Sequence, residues 1–161
     1  MELKLEILGS GGAITTPVPG CGCRVCRKAR KYGLPYSRTG PGIFIHGPDI
    51  LIDTSEEIKQ QLNRSNIDHI EAGFYSHWHP DHVAGLRVWE TINNDFRNYP
   101  PKNDQNPIYL PQGVASDFQV KLGYWEHFIF MEQQKNVQLN RMKDGDSAII
   151  RGTSIFLFQL Q

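Results

Sequence analysis

Long hydrophobic runs are absent from the sequence. No apolar stretch approaches the ~18 residues that a helix needs to cross a bilayer. The first seven residues alternate apolar and charged side chains, which differs from the basic and apolar blocks of a secretory signal. We therefore predict no membrane partner.

Cysteine is scarce. The chain has three cysteines, Cys21, Cys23 and Cys26, all within six positions. An odd number of cysteines confined to one loop argues against a disulfide framework. These thiols are therefore expected to be reduced, and we predict a cytoplasmic protein.

Acidic residues are missing between Ile7 and Pro48. Over the whole chain 17 basic and 17 acidic residues balance, so net charge predicts no nucleic-acid partner. Within the acid-free segment, six cations cluster: Arg24, Arg27, Lys28, Arg30, Lys31 and Arg38. These cations could simply be a solvated basic face. Alternatively, their positive electrostatic field could favour the binding of an anionic substrate at a site nearby.

Histidine, by contrast, is concentrated in one place. Three of the six histidines, His77, His79 and His82, lie within six residues together with Asp81. Imidazole and carboxylate together suit zinc, manganese or iron. A His-rich surface loop is the alternative, but His-x-His-x-Asp-His directly after an apolar run is too specific a pattern to favour it.

Strands and helices alternate along the chain and predict an α/β (α+β) fold. The predicted strands are residues 2–8, 42–46, 49–53, 72–76, 108–110, 136–139, 148–151 and 154–160. Helices are predicted after Thr54, after Pro80 and over residues 114–123. We expect one domain over residues 1–161.

Two of these helices carry specific signals. Thr54 and Glu57 have the spacing of a capping box, which predicts a helix that buries Ile58 and Leu62. After Pro80, five apolar residues recur at helical spacing and predict a helix that begins at the histidine motif. They are Val83, Leu86, Trp89, Ile92 and Phe96, and we expect Trp89 and Phe96 in the core.

Two loops are candidates for a role at the site. Gly9-Ser10-Gly11-Gly12 follows the first strand and could approach a phosphate or a metal, although such a loop is more often only a turn. Residues 93–106 are polar and rich in Pro and Asn, and could cover or flank the site.

The cysteines form a C-x-C-x2-C pattern within residues 20–26. Such close thiols can each supply a ligand to a tetrahedral structural zinc, with the fourth ligand from elsewhere. Three unrelated free cysteines are the alternative. A further hypothesis is a nucleic-acid-binding module in which zinc bound by the cysteine loop holds the basic segment in place. Against this hypothesis, exposed aromatic side chains, on which bases would stack, are not expected between the cations of that segment.

Asp53 ends an apolar strand. It could cap the following helix or orient a metal-bound imidazole from the second coordination shell, and the residues alone favour neither. Two other histidines are predicted to be structural, His46 as a strand residue and His127 as part of an aromatic packing cluster.

The motif suits metal-assisted hydrolysis. A catalytic metal needs several protein ligands and an open position for water, whose pKa it lowers. His77 and His79 can face one metal, and Asp81 and His82 a second. Four ligands are too few for two metals, and no comparable cluster follows residue 82.

The pattern over residues 77–82 resembles the signature of the metallo-β-lactamase superfamily. Leu51-Ile52-Asp53, the glycine loop and the helix after His82 stand where that superfamily has them. The cysteine loop at 20–26 resembles the branch of phosphoribosyl cyclic phosphate phosphodiesterases. The resemblance covers residues 1 to about 92, and later residues only in their strand pattern.

This resemblance implies an αββα sandwich, of which the chain supplies roughly the first half. It implies that His77 and His79 bind one divalent metal (zinc or manganese), that Asp81 and His82 bind a second, and that the metals share a hydroxide that attacks phosphorus. Asp53 would support these ligands from the second shell. Cys21, Cys23 and Cys26 would hold a structural zinc.

We therefore expect a metal-dependent phosphodiesterase acting on a small cyclic or linear phosphodiester. Hydrolysis of another ester or thioester is the alternative, and a metal-binding protein without activity is another. By the same resemblance the remaining ligands would lie beyond Gln161. We thus expect the chain to be part of a longer protein and to have little or no activity by itself.

Overall fold

The structure, a computed structural model, describes residues 3–97, 102–103 and 105–158. Its strands are β1 (Lys4–Gly9), β2 (Gly42–His46), β3 (Ile50–Ile52), β4 (Ala72–Phe74), β5 (Asn94–Asp95), β6 (Lys102–Asn103), β7 (Asn106–Pro111), β8 (Val137–Met142), β9 (Ser147–Ile150) and β10 (Thr153–Phe156). Its α-helices are α1 (Arg24–Tyr32), α2 (Ile58–Ser65), α3 (Pro80–Val83), α4 (Gln112–Asp117) and α5 (Tyr124–Gln133). The other helical elements of the described residues are a 3₁₀ helix (Leu86–Glu90) and a π-helical turn (Phe118–Leu122). The predicted mixed α/β class is confirmed.

The described strands form a main sheet of six strands in the order β1-β2-β3-β4-β7-β8. The first three pair antiparallel, and β3, β4, β7 and β8 pair parallel. The predicted hairpin of β2 and β3 is present, with Ile43 opposite Ile52, and it turns through Gly47 at φ 102°. Strand β10 ends at Phe156, short of the predicted end, and residue 160 lies outside the described residues.

One face of the main sheet carries the larger core. Because side chains alternate along a strand, Phe44, Leu51 and Ile108 point to the same face. The helices and turns cover this face with buried apolar residues. These include Ile58, Leu62, Trp89, Phe118, Phe128 and Met131. No helix in the described part of the chain is long and apolar enough to cross a membrane.

The opposite face is covered in part by the hairpin of β9 and β10. Ala148 and Ile150 of this hairpin pack with Ile50 and Phe74 in a second apolar cluster. The predicted strand at the N-terminus is present as β1, but its apolar side also faces this way. Leu3, just before the strand, is 58% exposed, and Leu5 and Ile7 within it are 60% and 65% exposed.

The helix predicted after Pro80 is broken in two. It stops after α3 and resumes as the 3₁₀ helix, because the Gly85 N–H donates to the Thr54 carbonyl oxygen at 2.9 Å instead of continuing the bonds of the helix. Trp89 is buried as predicted, but Phe96 lies beyond the end of the 3₁₀ helix and is 61% exposed. The prediction of Phe96 as core was therefore wrong.

The predicted capping box does not form at α2. The Thr54 hydroxyl contacts Tyr75 instead, and the Glu57 carboxylate accepts a hydrogen bond from the Gly40 N–H. Ile58 and Leu62 are nevertheless buried, as the periodicity predicts. Tertiary contacts thus override a local capping signal.

Two other segments differ from their predictions. The helix predicted over 114–123 is α4 followed by the π-helical turn. The loop predicted over 93–106 includes the short pair β5 and β6, but residues 98–101 and 104 lie outside the described residues. A role for this loop at the site stays a prediction.

Gly73 is required by the core. A Cβ at this position would lie 2.6 Å from the Trp89 ring and 2.8 Å from Ile108. We expect Gly73→Ala to lower the free energy of unfolding by about 1–3 kcal/mol through overpacking. Gly113→Ala is the matched control, because a Cβ there meets nothing within 4 Å and stability should be unchanged or slightly raised. Chemical denaturation compares the two, and equal stabilities would disprove this packing.

Candidate metal centre

Two parallel strands bring the candidate residues to one edge of the sheet. Asp53 directly follows β3, and Ser76 and His77 follow β4, so the carboxyl ends of both strands deliver them together. The Asp53 N–H donates to the Phe74 carbonyl oxygen at 2.9 Å. Asp53 has a φ of 62°, a left-handed conformation that is uncommon for a residue other than glycine. This backbone geometry places its carboxylate beneath the histidine motif.

His77 and His79 form the first donor pair. The distance from His77 Nε2 to His79 Nδ1 is 3.1 Å. Two nitrogens bound tetrahedrally to zinc at ordinary bond lengths lie ~3.3 Å apart. The two imidazoles therefore fit a shared divalent metal.

Asp81 and His82 form the second pair, in the first turn of α3. Asp81 Oδ2 lies 3.4 Å from His82 Nε2. The His82 ring is next to His77, with ring centroids 3.9 Å apart, so the two donor pairs are adjacent. Oxygen and nitrogen donors at this spacing suit zinc or manganese.

Asp53 contacts the second pair directly. Its Oδ2 lies 2.8 Å from His82 Nδ1, within hydrogen-bonding distance. A carboxylate can only accept, so the proton sits on Nδ1 and the Nε2 lone pair is left toward Asp81. This is the contact expected of a carboxylate that orients an imidazole, and Asp53 makes no helix cap.

Ser76 is a site residue that we did not predict. Its N–H donates to Asp53 Oδ1 at 2.8 Å and its hydroxyl donates to Asp53 Oδ2 at 2.7 Å. The same hydroxyl lies 3.0 Å from His77 Nδ1. The sequence feature that could have predicted this role is the position of Ser76 directly before His77. A hydroxyl at that position can reach both the Asp53 carboxylate and the His77 ring.

His77 is held in the form that binds metals. Burial lowers the pKa of its imidazole, and the neighbouring rings of His82 and His79 lower it further. Asp53 and Asp81 oppose this shift without reversing it. A neutral imidazole has a free lone pair for a metal.

A buried hydrogen-bonded group lies beneath the motif. The Tyr75 hydroxyl is 2.9 Å from the Thr54 hydroxyl and accepts from Trp89 Nε1 at 2.9 Å. Burial raises the pKa of Tyr75, which keeps the phenol neutral. Through these contacts Tyr75, which follows β4 and precedes the motif, is joined to Trp89 of the 3₁₀ helix, which follows the motif.

The three cysteines come together as the sequence suggests. Among the described residues they are the one set of three or more His, Cys, Asp or Glu ligand atoms that all lie within 4.8 Å of one another. Thiolates on one tetrahedral zinc are ~3.8 Å apart. The set therefore could hold a metal.

Hydrogen bonds to sulfur support the thiolate form of Cys23. The Val18 N–H donates to Cys26 Sγ and the Cys26 N–H to Cys23 Sγ, both at 3.4 Å. The bond from Cys26 and the neighbouring thiols of Cys21 and Cys26 lower the pKa of Cys23 to about 7. The bond from the Val18 N–H lowers the pKa of Cys26, but burial and the neighbouring thiols of Cys21 and Cys23 outweigh it, so that the pKa of Cys26 is raised. Since the thiolate is the metal ligand, Cys23 is the thiol of this loop that is best prepared for a cation.

Part of the basic segment is used to hold the cysteine loop. The Arg30 guanidinium donates to the carbonyl oxygens of Cys21 and Val18, each at 2.6 Å. The expectation that the segment lacks exposed aromatics was wrong, because Tyr32 and Tyr36 are exposed and Lys28 lies 4.1 Å from the centre of the Tyr36 ring. The conformation of the chain between 24 and 36 brings these side chains to the surface.

Comparison with known families decides the ancestry of the chain. The family model described as "Beta-lactamase superfamily domain" matches residues 49–161, which include Asp53 and the whole motif. The chain belongs to the β-lactamase superfamily. The resemblance carried by residues 77–82 is thereby confirmed.

Two solved structures share the fold of this chain. A diphosphatase from the PhnP family has a TM-score of 0.69 and 26% identity, covering 92% of this chain and 53% of its own. Zinc-bound PqqB from Methylobacterium extorquens has a TM-score of 0.75 and 20% identity, covering 98% of this chain and 52% of its own. This superfamily domain thus spans about half the length of either structure.

A curated relative matches over a shorter stretch. An octanoyltransferase from Porphyromonas gingivalis (strain ATCC BAA-308 / W83) is 39% identical over 93 residues. The match covers 56% of this chain but 18% of the relative. This chain therefore corresponds to a small part of the octanoyltransferase.

The two histidines that were predicted to be structural make contacts away from the motif. His46 lies in β2 with its Nε2 2.7 Å from Glu6 Oε2. His127 lies in α5 with its Nε2 2.9 Å from Glu90 Oε1, and its ring is 6.0 Å from Phe130. Both contacts agree with the structural roles predicted for them.

Loss of one cysteine ligand should remove the metal that the loop could hold. We expect purified Cys23→Ser to contain about one equivalent of zinc less than the wild type, because a serine hydroxyl is a poor zinc ligand at neutral pH. Elemental analysis of the two proteins measures this. Val25→Ala, at an exposed position within the same loop, should keep the full content. Equal zinc in wild type and Cys23→Ser would contradict the assignment.

Proposed function

We propose that the protein encoded by the complete gene hydrolyses a small phosphodiester with two divalent metals, zinc or manganese, at the histidine motif. The observation that carries this proposal is the pair of adjacent donor sets with Asp53 against His82. The likeness to a diphosphatase at 26% identity supports phosphate chemistry over other hydrolyses. The acid-free basic segment favours an anionic substrate.

Each residue has a defined task in this proposal. His77 and His79 would hold one metal, and Asp81 and His82 would hold the other. When bound, such metals supply an acidified water and neutralise charge on a phosphate. Asp53 fixes the tautomer of His82, and Ser76 holds Asp53 and contacts His77. Cys21, Cys23 and Cys26 would hold a structural zinc apart from the chemistry.

Substrate class is the part of the proposal that most needs a test, because one fold supports many reactions. The complete gene product should be assayed with fluorogenic phosphodiester and thioester substrates in the presence of zinc or manganese. Turnover of the phosphodiester is expected. Turnover of the thioester alone would favour the alternative hydrolase, and no phosphodiester turnover with any divalent metal would disprove the proposal.

A second candidate function rests on the exposed tyrosines. Tyr32 and Tyr36 lie with ring centroids 5.7 Å apart beside Lys28 and Lys31, a combination that can stack and neutralise a single strand of nucleic acid. Fluorescence anisotropy with random single-stranded RNA at several salt concentrations tests it. Steeply salt-dependent binding that Tyr36→Ala weakens would favour this function, and no binding at low salt would remove it.

A further inference from the structure

Cys23 is the exposed thiol of the cysteine loop. It is the N-cap residue of α1, and its sulfur accepts a hydrogen bond from the Cys26 N–H at 3.4 Å. The N-terminal end of a helix carries a partial positive charge, which together with this hydrogen bond stabilises a negatively charged sulfur. The thiolate is the form of cysteine that attacks a disulfide. Cys23 is therefore both accessible and placed to act as a nucleophile.

Cys26 is the buried thiol of the same helical turn. It is 4% exposed, and its sulfur accepts from the Val18 N–H at 3.4 Å. Cα atoms three residues apart in a helical turn are separated by ~5 Å, which lies within the ~4.4–6.8 Å range of disulfides. The sulfurs of the loop already lie within 4.8 Å of one another. Cys26 can therefore form a disulfide with Cys23 while the helix stays intact.

The two residues form a Cys-x-x-Cys pair at a helix N-terminus. In such a pair the first thiol attacks an incoming disulfide and the second thiol then displaces it. Cys21 stands outside this pair, because it precedes the helix and its carbonyl oxygen is held by the Arg30 guanidinium at 2.6 Å. The geometry thus distinguishes two of the three cysteines.

A cavity of about 230 Å³ lies against the first turns of α1, next in the chain to Cys23. The described residues that line it are Arg24, Val25, Lys28 and Tyr36. They include two cations and no carboxylate, and neither the cysteine loop nor α1 contains an acidic residue. The two positive charges favour a ligand that carries carboxylates.

We propose that Cys23 and Cys26 form a thiol–disulfide exchange site for an anionic disulfide of low molecular weight. The Cys23 thiolate attacks one sulfur of the reagent, which forms a mixed disulfide and releases the first thiolate. The Cys26 proton passes to this thiolate. Cys26 then attacks Cys23 Sγ, which closes the Cys23–Cys26 disulfide and releases the second half of the reagent as a thiolate. The two cysteines are oxidised by two electrons, and the reagent is reduced to two thiols.

This activity goes beyond the proposed hydrolysis and needs no turnover at the histidine motif. It would also change what the cysteine loop can bind, because thiolates are zinc ligands and the closed disulfide leaves one thiol of three. Oxidised protein should therefore bind less zinc at the loop than reduced protein, and dithiothreitol should restore the binding.

The test treats the purified chain with glutathione disulfide and follows the intact mass, both as purified and after a chelator has removed bound metal. Both preparations should lose two hydrogen atoms, more slowly where the sulfurs already hold metal. Tryptic cleavage after Arg24 in the denatured product leaves Cys26 on a separate peptide from Cys21 and Cys23, so mapping shows whether Cys26 is joined.

Single substitutions identify the partner of Cys26. Cys26→Ser should stop at a mixed disulfide with one glutathione on Cys23, and Cys23→Ser should be oxidised at least ~10 times more slowly than the wild type. Cys21→Ser is the matched comparison, since it also removes one of the three thiols but should still close the Cys23–Cys26 disulfide. Bis(2-hydroxyethyl) disulfide, which is uncharged, tests the preference for negative charge. Arg24→Gln should lower the rate with glutathione disulfide relative to the uncharged reagent, whereas Arg97→Gln, at an exposed cation outside this cavity, should not.

No loss of hydrogen atoms in either preparation would overturn the proposal. A disulfide that forms as fast in Cys26→Ser as in the wild type, or that fails to form in Cys21→Ser, would overturn the assignment of the pair. A ratio of the two rates that Arg24→Gln leaves unchanged would overturn the choice of an anionic reagent.

Discussion

Asp53→Asn is expected to weaken zinc binding at the histidine motif about 10- to 100-fold while the protein stays folded. The carboxylate lies 2.8 Å from His82 Nδ1 and accepts from the Ser76 hydroxyl and N–H. An asparagine can keep the bond from the Ser76 N–H through its oxygen. Its amide nitrogen would then donate to His82 Nδ1, so that the ring proton moves to Nε2 and blocks the nitrogen that faces Asp81.

Calorimetric titration with zinc measures this loss of affinity, with the cysteine loop already loaded. Asp68→Asn, at an exposed position, is the matched control and should bind zinc like the wild type. Asp53→Ala should lose affinity and also about 1–3 kcal/mol of stability, because the hydrogen bonds that the buried Asp53 carboxylate accepts from Ser76 are lost. Wild-type affinity in Asp53→Asn would show that Asp53 does not set the His82 tautomer.

His79→Ala should lower phosphodiester turnover by the complete gene product by at least about 100-fold, beyond the effect typical of residues that only support a ligand. The reason is that His77 Nε2 has His79 Nδ1 as its neighbour at 3.1 Å, so the first donor pair would be reduced to one. The His79 side chain makes no capping bond to α3, and the fold should therefore persist.

Steady-state kinetics and a melting curve for each protein test this prediction. His69→Ala removes an exposed histidine whose partner is Glu71, and it should keep full turnover. Turnover in His79→Ala within threefold of the wild type would exclude a role for the first donor pair. Loss of the melting transition would instead mark a structural role for His79.

The fold could be predicted where a local pattern decided it. Short apolar runs on either side of the turn at Gly47-Pro48 placed β2 and β3, and the apolar run before the motif placed β4. The parallel pairing of β3 with β4 then explains why Asp53 meets His82, a contact for which the sequence offered two alternatives. Chain order and residue type were sufficient for these elements because their determinants lie within a few residues.

Other features depend on contacts between distant residues. The Gly85 N–H donates to the Thr54 carbonyl oxygen and so ends the helix, although the apolar spacing continues through the break. Thr54 and Glu57 bind Tyr75 and Gly40 in place of the helix end that their spacing indicated. The alternation of residues in β1 showed that one side of the strand is apolar. The sequence did not show that this apolar side would face away from the helices.

The central proposal is that the motif holds divalent metal. The most direct measurement is an anomalous difference map from crystals grown with zinc and recorded at the zinc absorption edge. We predict one peak within bonding distance of His77 Nε2 and His79 Nδ1, a second near Asp81 and His82, and a third among the three cysteine sulfurs. A map with a peak at the cysteines and none at the motif would contradict the proposed metal centre.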